Sequence, residues 1–204
     1  MKIGILGAGN IGGTLGQQWA AAGHEIMFGV RDVNSAKVQK LIESISGVAS
    51  TGSLAETIEF GDIVLFAIPF ATVGPTVDTY AESLAGKLII DATNNFGAPV
   101  INNLAVLNRV RASTLFRAFN SLGWEMFAEP VIGGQQVDLF YCGPAGERRE
   151  TMENLIKDVG LRPVWVGDLE QAPLVDNIGS LWGQLVFRQG MGRRLAFKVL
   201  LPDD

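Results

Sequence analysis

Cysteine and histidine are almost missing from this 204-residue chain, which has one of each, Cys142 and His24. A lone cysteine excludes an intrachain disulfide and a cysteine-built zinc site. A lone histidine speaks against histidine metal sites and against Ser-His-Asp catalysis. Tyrosine is nearly as scarce. Neither Tyr80 nor Tyr141 is followed by a lysine four positions on, as a Tyr-x-x-x-Lys proton donor for carbonyl reduction requires. Charge is sparse too: 18% of residues are charged, the net charge is -5 and the sequence pI is about 4.9. A general nucleic-acid binder should be basic, so that class is disfavoured. No apolar run approaches the roughly 18 residues of a membrane span, so no membrane partner is expected. Met1-Lys2 leads straight into a strand and a glycine loop rather than a signal peptide, and a cytoplasmic protein is the expectation.

What is present is apolar bulk and glycine. Hydrophobic residues make up 48% and there are 25 glycines, with a mean hydropathy of +0.25. That composition can bury a real core, and it points to large buried faces or a subunit interface. Strand and helix alternate through the first half. Lys2–Leu6, 24–28 and 62–68 read as strands, with 88–91 and an edge strand at 48–51. Helices are expected from Asn10 to Ala22, 35–46, 54–60 and 72–84. Residues 62–68 are continuously apolar, as a parallel strand buried on both faces requires. The alternation predicts stacked βαβ units, hence an α/β fold: a Rossmann-type doubly wound parallel sheet with a small C-terminal α/β lobe. The expected division is 1–135 for the nucleotide domain and 136–204 for the small lobe. In the second half, strands are expected at 114–119, 137–142 and 163–166, around a looser segment at 120–136. Helices are expected at 147–159 and 173–189, the second the longest, and 199–204 reads as a tail.

Gly7-Ala8-Gly9-Asn10-Ile11-Gly12 is a GxGxxG loop between the first strand and the first helix. The first glycine permits the tight turn, the second lets backbone approach a pyrophosphate, and the third lets helix and strand pack closely. The helix N-terminus then holds the anion. Position and context make this a dinucleotide-binding fingerprint. The residue at the end of the second strand, about 20 positions on, selects the nucleotide: an acid for NAD, an arginine for the 2′-phosphate of NADP. Here Val30-Arg31-Asp32 occupies it. Arg31 can fork onto a phosphate, while Asp32 could bind ribose or begin the next turn. NADP is the expected cofactor, with Lys37 either a second positive charge or a solvated lysine. Ligands of such sheets sit beyond the C-terminal strand ends. Ile68-Pro69-Phe70 and Ala92-Thr93-Asn94 are therefore candidates to line the nicotinamide, with Phe70 equally readable as core.

At this point the chain resembles the small NADPH-dependent F420 reductases (F420H2:NADP oxidoreductases), whose nucleotide domain is related to that of membrane ferric reductases. The resemblance runs nearly end to end. It rests on Gly7 to Gly12, Gly29-Val30-Arg31, Ile68-Pro69 and Arg117-Ala118-Phe119-Asn120. It continues through Gly160-Leu161-Arg162-Pro163, Gly167-Asp168-Leu169-Glu170 and Gly190-Met191-Gly192. It implies NADP on the glycine loop, the deazaflavin coenzyme F420 in a cleft near the nicotinamide, and a dimer. It implies that Ala8 to Ile11 hold pyrophosphate, that Val30 and Arg31 meet the 2′-phosphate, and that Ile68 and Ala118 flank the nicotinamide. No side chain is then needed as a nucleophile, because the cofactors carry the chemistry. Val30 departs from the serine or threonine the family often has there, and the chain also departs at 94–111 and 121–136, which shape the second-substrate site.

Several residues keep two readings. Asn120 could bond nicotinamide or substrate, or cap a loop. Arg188, Arg193, Arg194 and Lys198 could form an anion site or a solvated helix end. His24 is expected as a partly exposed turn residue and Cys142 as packed core. Trp182 is expected in the core or a dimer interface, and Trp124 as a cleft lid. The expected activity is hydride transfer between NADP(H) and F420. The alternatives are NADPH reduction of a flavin or of a small carbonyl or imine, and a non-catalytic NADP sensor.

Overall fold

The computed structural model describes residues 1–202. The strands β1 (Lys2–Leu6), β2 (Glu25–Gly29), β3 (Ala49–Gly52), β4 (Ile63–Phe66), β5 (Leu88–Asp91) and β6 (Thr114–Arg117) form one parallel sheet. The order is β3-β2-β1-β4-β5-β6, the doubly wound arrangement in which the chain reverses direction across the sheet beside β1. Every residue of β4 and β5 is buried, which is why these strands are apolar without alternation.

Successive side chains still point to opposite faces and feed two cores. Ile3, Ile5, Ile63 and Leu65 join the core under α1 (Asn10–Ala21) and α2 (Ala36–Ser44). Leu6, Val64, Phe66 and Ile89 join the core under α3 (Leu54–Phe60), α4 (Phe70–Leu84) and the short α5 (Leu104–Leu107). Caps set the helix starts. Ser35 Oγ accepts from Val38 N, and Ser53 with Glu56 forms a reciprocal capping box that opens α3. The backbone and hydroxyl of Ser53 also hold the Glu56 carboxyl below its ordinary range.

The second half is more ordered than its sequence suggests. Residues 120–136 contain a helix, α6 (Trp124–Ala128), and a small hairpin, β7 (Val131–Ile132) with β8 (Gln135–Gln136). The hairpin turns on Gly133 and Gly134, both at positive φ. Strand β9 (Asp138–Tyr141) pairs in parallel with β10 (Arg162–Trp165) across α7 (Glu147–Asp158). An antiparallel bridge between Arg117 and Cys142 ties β9 back to β6. The first core is continuous into this half: Met126, Phe127, Leu139, Met152 and Leu155 belong to the same cluster as Leu15 and Trp19. Trp19 Nε1 donates to Leu155 O at 2.9 Å.

Three expectations shift. The strand expected at 114–119 stops at Arg117, because Phe119 turns left-handed at φ 59. The long helix is α8 (Ala172–Gly183) continued by a π turn over Gln184–Arg188. The expected tail at 199–204 is docked at its start: Val199 N donates to Asp138 Oδ2, and Val199 O accepts from Arg162. Residues 203 and 204 lie outside the described residues.

Candidate active site

A cleft of about 780 Å3 runs along the C-terminal ends of β1, β2, β4 and β5. Its floor at one end is the glycine loop. Gly7 sits at φ +104, and a Cβ there would lie 2.6 Å from Ala67 O. A Cβ on Gly12 would lie 2.2 Å from Gly7 O, so this glycine permits the close helix–strand approach. Gly9 is different: a Cβ there would meet nothing within 4 Å. The fold itself does not require glycine at Gly9, and the space there is open to a group approaching the backbone from the cleft. Gly9 is also the N-cap of α1 and supplies no capping side chain, and the helix has no acid in its first turn. Its leading N–H groups therefore face the cleft as an anion cradle. The residues present fit a pyrophosphate.

Gly7, Ala8, Gly9 and Ile11 line the cleft. Asn10 is exposed and begins α1, while Gly12 is buried behind the loop. Val30 and Arg31 line the next stretch. Arg31 is exposed and, among the described residues, has no carboxylate within ion-pair distance. Asp32 lines the cleft beside it, but its Oδ1 accepts from Asn34 N at 2.9 Å and so builds the turn into α2. Of the two readings of Asp32, the structure displays the turn. Ser35 lines the cleft at the N-cap of α2, where the sequence reading used it only as a helix start. Lys37 is exposed in the first turn of α2 and does not line the cleft.

Ile68, Pro69 and Asn94 line the far end, with Ala67, Ala92 and Thr93. Phe70 begins α4, half-buried, and is not part of that wall. Ala118 is fully buried in the first core rather than at the cleft surface. Asn120 is 2% exposed. It reaches the cleft only indirectly, through the bond from Asn94 Nδ2 to its carbonyl at 2.8 Å. Thr72 and Thr76, one turn apart on α4, complete this end. Their i, i+4 spacing after Pro69 was the available signal, and the sequence reading did not use it.

Behind the far wall lies a buried ionic cluster that the sequence reading missed. Arg117 is 0% exposed. Its Nε and Nη2 donate to Asp176 Oδ1 at 2.9 and 2.8 Å. Its Nη1 donates to the carbonyls of Asp91 and Thr93, and Nη2 also donates to Asn94 Oδ1. Asp91 Oδ2 stands 3.4 Å from Nη1. A charge within the apolar run of β6, and another within the apolar stripe of α8, were the sequence signals.

The remaining candidates are engaged elsewhere. Arg193 pairs with Glu125 at 2.5 Å, Arg194 pairs with Glu129, and Lys198 stands 3.7 Å from Asp138. The basic cluster is therefore largely spent on internal ion pairs, which corrects the anion-site reading. His24 Nε2 lies 2.8 Å from Asp158 Oδ2 and Nδ1 lies 3.2 Å from the N-terminal amine, well away from the cleft. Cys142 is buried, and burial pushes its thiol up to about 12, with the Asp176 carboxylate adding to the shift. Trp182 is buried and donates to Leu195 O. Trp124 packs against the first core, away from the cleft wall. Among the described residues no group of metal-ligating side chains is present, and no helix is long and apolar enough to cross a membrane.

Residues 2–95 match the family of coenzyme F420-dependent NADP oxidoreductases. That match spans β1 to β5 and includes the glycine loop. The chain is an NADP-dependent oxidoreductase. It is 24% identical over 203 residues to the F420-dependent NADP reductase of Methanothermobacter marburgensis, covering 89% of this chain and 90% of that one. It is 26% identical over 183 residues to the metalloreductase STEAP3 of Rattus norvegicus, covering 87% of this chain. The chain spans 36% of that metalloreductase's length. A crystal structure from Arthrobacter sp. FB24, assigned to the F420-dependent NADP-reductases, superposes with a TM-score of 0.84 at 20% identity, over 98% of this chain and 100% of that one. A reductive aminase from Aspergillus terreus in complex with NADPH and ethyl-5-oxohexanoate superposes with a TM-score of 0.65 at 23% identity, over 93% of this chain and 65% of that one. Both likenesses bear on the fold.

Proposed function

We propose that this oxidoreductase transfers a hydride between NADP(H) and coenzyme F420. One observation carries the reading. Among the cleft-lining residues the titratable side chains are Arg31 and Asp32, both at the β2 end, while the far end offers Ile68, Pro69, Thr72, Thr76, Ala92, Thr93 and Asn94. Carbonyl reduction needs a proton delivered to the reacting oxygen. A deazaflavin accepts hydride at carbon and takes its proton from solvent, so a wall without an acid suffices. When bound, NADPH supplies the hydride; the protein supplies orientation.

In this reading the amides of Ala8 to Ile11 hold the pyrophosphate. Arg31, with Lys37 reaching from α2, meets the 2′-phosphate. Val30 packs there without a hydroxyl, and Ser35 on the same wall carries one. The nicotinamide lies toward Ile68, Pro69 and Asn94. Ala118 and Asn120 support that end from behind, and Phe70 supports it from the start of α4. Residues 1–135 form the nucleotide unit and 136–204 the unit that completes the second-substrate site. Leu174, Leu181 and Phe187 are exposed along α8 and its π turn, an apolar stripe that suits a homodimer contact; light scattering reads that state.

A second reading is favoured by the same wall. An iminium carries its own proton and needs only hydride, in keeping with the fold shared with the reductive aminase. Anaerobic mixing of the protein with NADPH and F420, FMN or a cyclic imine separates the two. Bleaching of F420 at a rate proportional to enzyme supports the deazaflavin reading. NADPH consumption with the imine alone replaces it. Tight NADPH binding with no acceptor turned over leaves a nucleotide sensor.

A further inference from the structure

We infer that Arg117, clasped by Asp91 and Asp176, is a positioning residue that holds the far wall of the cleft in register for hydride transfer and links that wall to α8. The inference rests on the hydride-transfer reading for its catalytic consequence. Its structural content stands without it.

Arg117 spends its donors on the wall rather than on the ligand. Two of its contacts are main-chain carbonyls, of Asp91 and Thr93, and a third is the amide oxygen of Asn94. Thr93 and Asn94 both line the cleft. The bond to Arg117 fixes which way the Asn94 amide points: Oδ1 faces the guanidinium, so Nδ2 is left to donate to Asn120 O. The chain leaves the cluster at Asn94 and returns at Asn102 and Asn103. There Asn103 N donates to Asp91 Oδ2 at 3.1 Å, and Asn102 Nδ2 donates to Asp176 Oδ2 at 2.5 Å. Both feet of the 95–101 loop are thus pinned to the same ionic group.

Asp176 is the piece that comes from elsewhere. It belongs to α8, and it accepts from Arg117, Asn102 and Asn120 while being 5% exposed. A buried carboxylate is costly unless paired and hydrogen-bonded. An apolar residue there would bury that face of α8 without that cost. The carboxylate at Asp176 is explained by what it orients: a guanidinium whose fork-like donors grip a wall made of backbone. Misplacing a reacting group by about 1 Å can cost roughly 100-fold in rate, so a wall held this way has a kinetic role.

Asp176→Asn and Arg117→Lys test the idea, each studied as the full chain, folded by circular dichroism and by a cooperative thermal transition. Hydrogen exchange is measured across the chain. Faster exchange confined to 92–103, with 7–13 unchanged, is expected; unchanged exchange at 92–103, or a rise spread equally over both segments, overturns the clasp. Where wild type reduces F420, kcat should fall by about 10- to 100-fold in Asp176→Asn. NADPH affinity should stay within about threefold. The kinetic isotope effect from NADPH deuterated at the transferred position should rise as hydride transfer becomes limiting. A loss of NADPH affinity with an unaltered isotope effect contradicts the positioning role. Where wild type turns over no acceptor, the F420 proposal fails. The exchange pattern, with nicotinamide fluorescence of bound NADPH altered in Asp176→Asn, then decides the clasp. Asp176→Glu, which restores the charge, should recover part of the rate.

Discussion

The two ends of the cleft are built by different means. The β1–β2 end is assembled from neighbours in sequence: a glycine loop, a strand end, a helix cap. Its polar groups are the leading backbone N–H groups of α1, one exposed arginine and Asp32, whose carboxylate builds a turn. The β4–β5 end is assembled from distant pieces. Arg117 of β6, Asp91 of β5, Asp176 of α8 and the 92–103 segment meet in a buried network, and the wall they hold carries no ionisable group toward the cleft. In the proposed function one end binds a fixed anion and the other presents a surface of fixed shape, so substitutions at the two ends should fail differently.

The largest effect should come from removing the guanidinium behind the far wall. Arg117→Met leaves Asp91 and Asp176 buried without a counter-ion, and an uncompensated buried charge costs about 3–5 kcal/mol. Urea denaturation should show a loss of that size, while a loss below about 1 kcal/mol would mean the network contributes little. Next comes the binding end. In the proposed function Arg31→Ala removes a charge-assisted contact to the 2′-phosphate and should cost about 1.5–3 kcal/mol of NADPH affinity. Fluorescence titration should show that loss with NADPH and almost none with NADH; equal losses would remove Arg31 from the phosphate.

The glycine loop sharpens the contrast within one end. Gly12→Ala drives a methyl group into Gly7 O and should cost about 1–3 kcal/mol of stability. Gly9→Ala meets open space. It should leave the unfolding midpoint close to wild type while NADPH affinity drops by roughly tenfold or more, about 1.4 kcal/mol. Equal stability losses at the two glycines would undo their separate roles.

Two smaller effects lie outside the cleft. Burial alone would raise the Asp138 carboxyl, but Arg162, the Val199 N–H and Lys198 outweigh it and hold it below its ordinary range. A carboxyl depressed on folding contributes stability above its unfolded pKa and loses it as pH falls through the folded value. Stability should therefore fall below about pH 4, and Asp138→Asn should flatten that slope. The Cys142 thiol, raised to about 12, should not react with a disulfide reagent at pH 8 until the chain unfolds; rapid native labelling would contradict its burial.

The contrast between the two ends also explains what the sequence discloses. Gly7 to Gly12, Arg31 and the six-strand alternation are local patterns with local causes, and they read directly. Ile68, Pro69 and Asn94 are legible because ligands collect at strand ends. Ala118 and Asn120 sit next to the right strand end, but the chain turns left-handed at Phe119 and both side chains are buried. The partnership of Arg117 with Asp176, 59 positions apart, has no periodicity or spacing to announce it. Neither does the pairing of Arg193, Arg194 and Lys198 with acids at 125–138. Each charge is visible alone, and its partner is fixed only by the packing of α8 and the C-terminal segment against the sheet.

A crystal structure of the NADPH complex tests the division of the cleft most directly. The pyrophosphate should lie on the amides of residues 8–11, the 2′-phosphate against Arg31, and the nicotinamide against Ile68 and the Thr93–Asn94 wall, with the Arg117 clasp intact behind it. A nicotinamide bound away from that wall, or a 2′-phosphate free of Arg31, would contradict it.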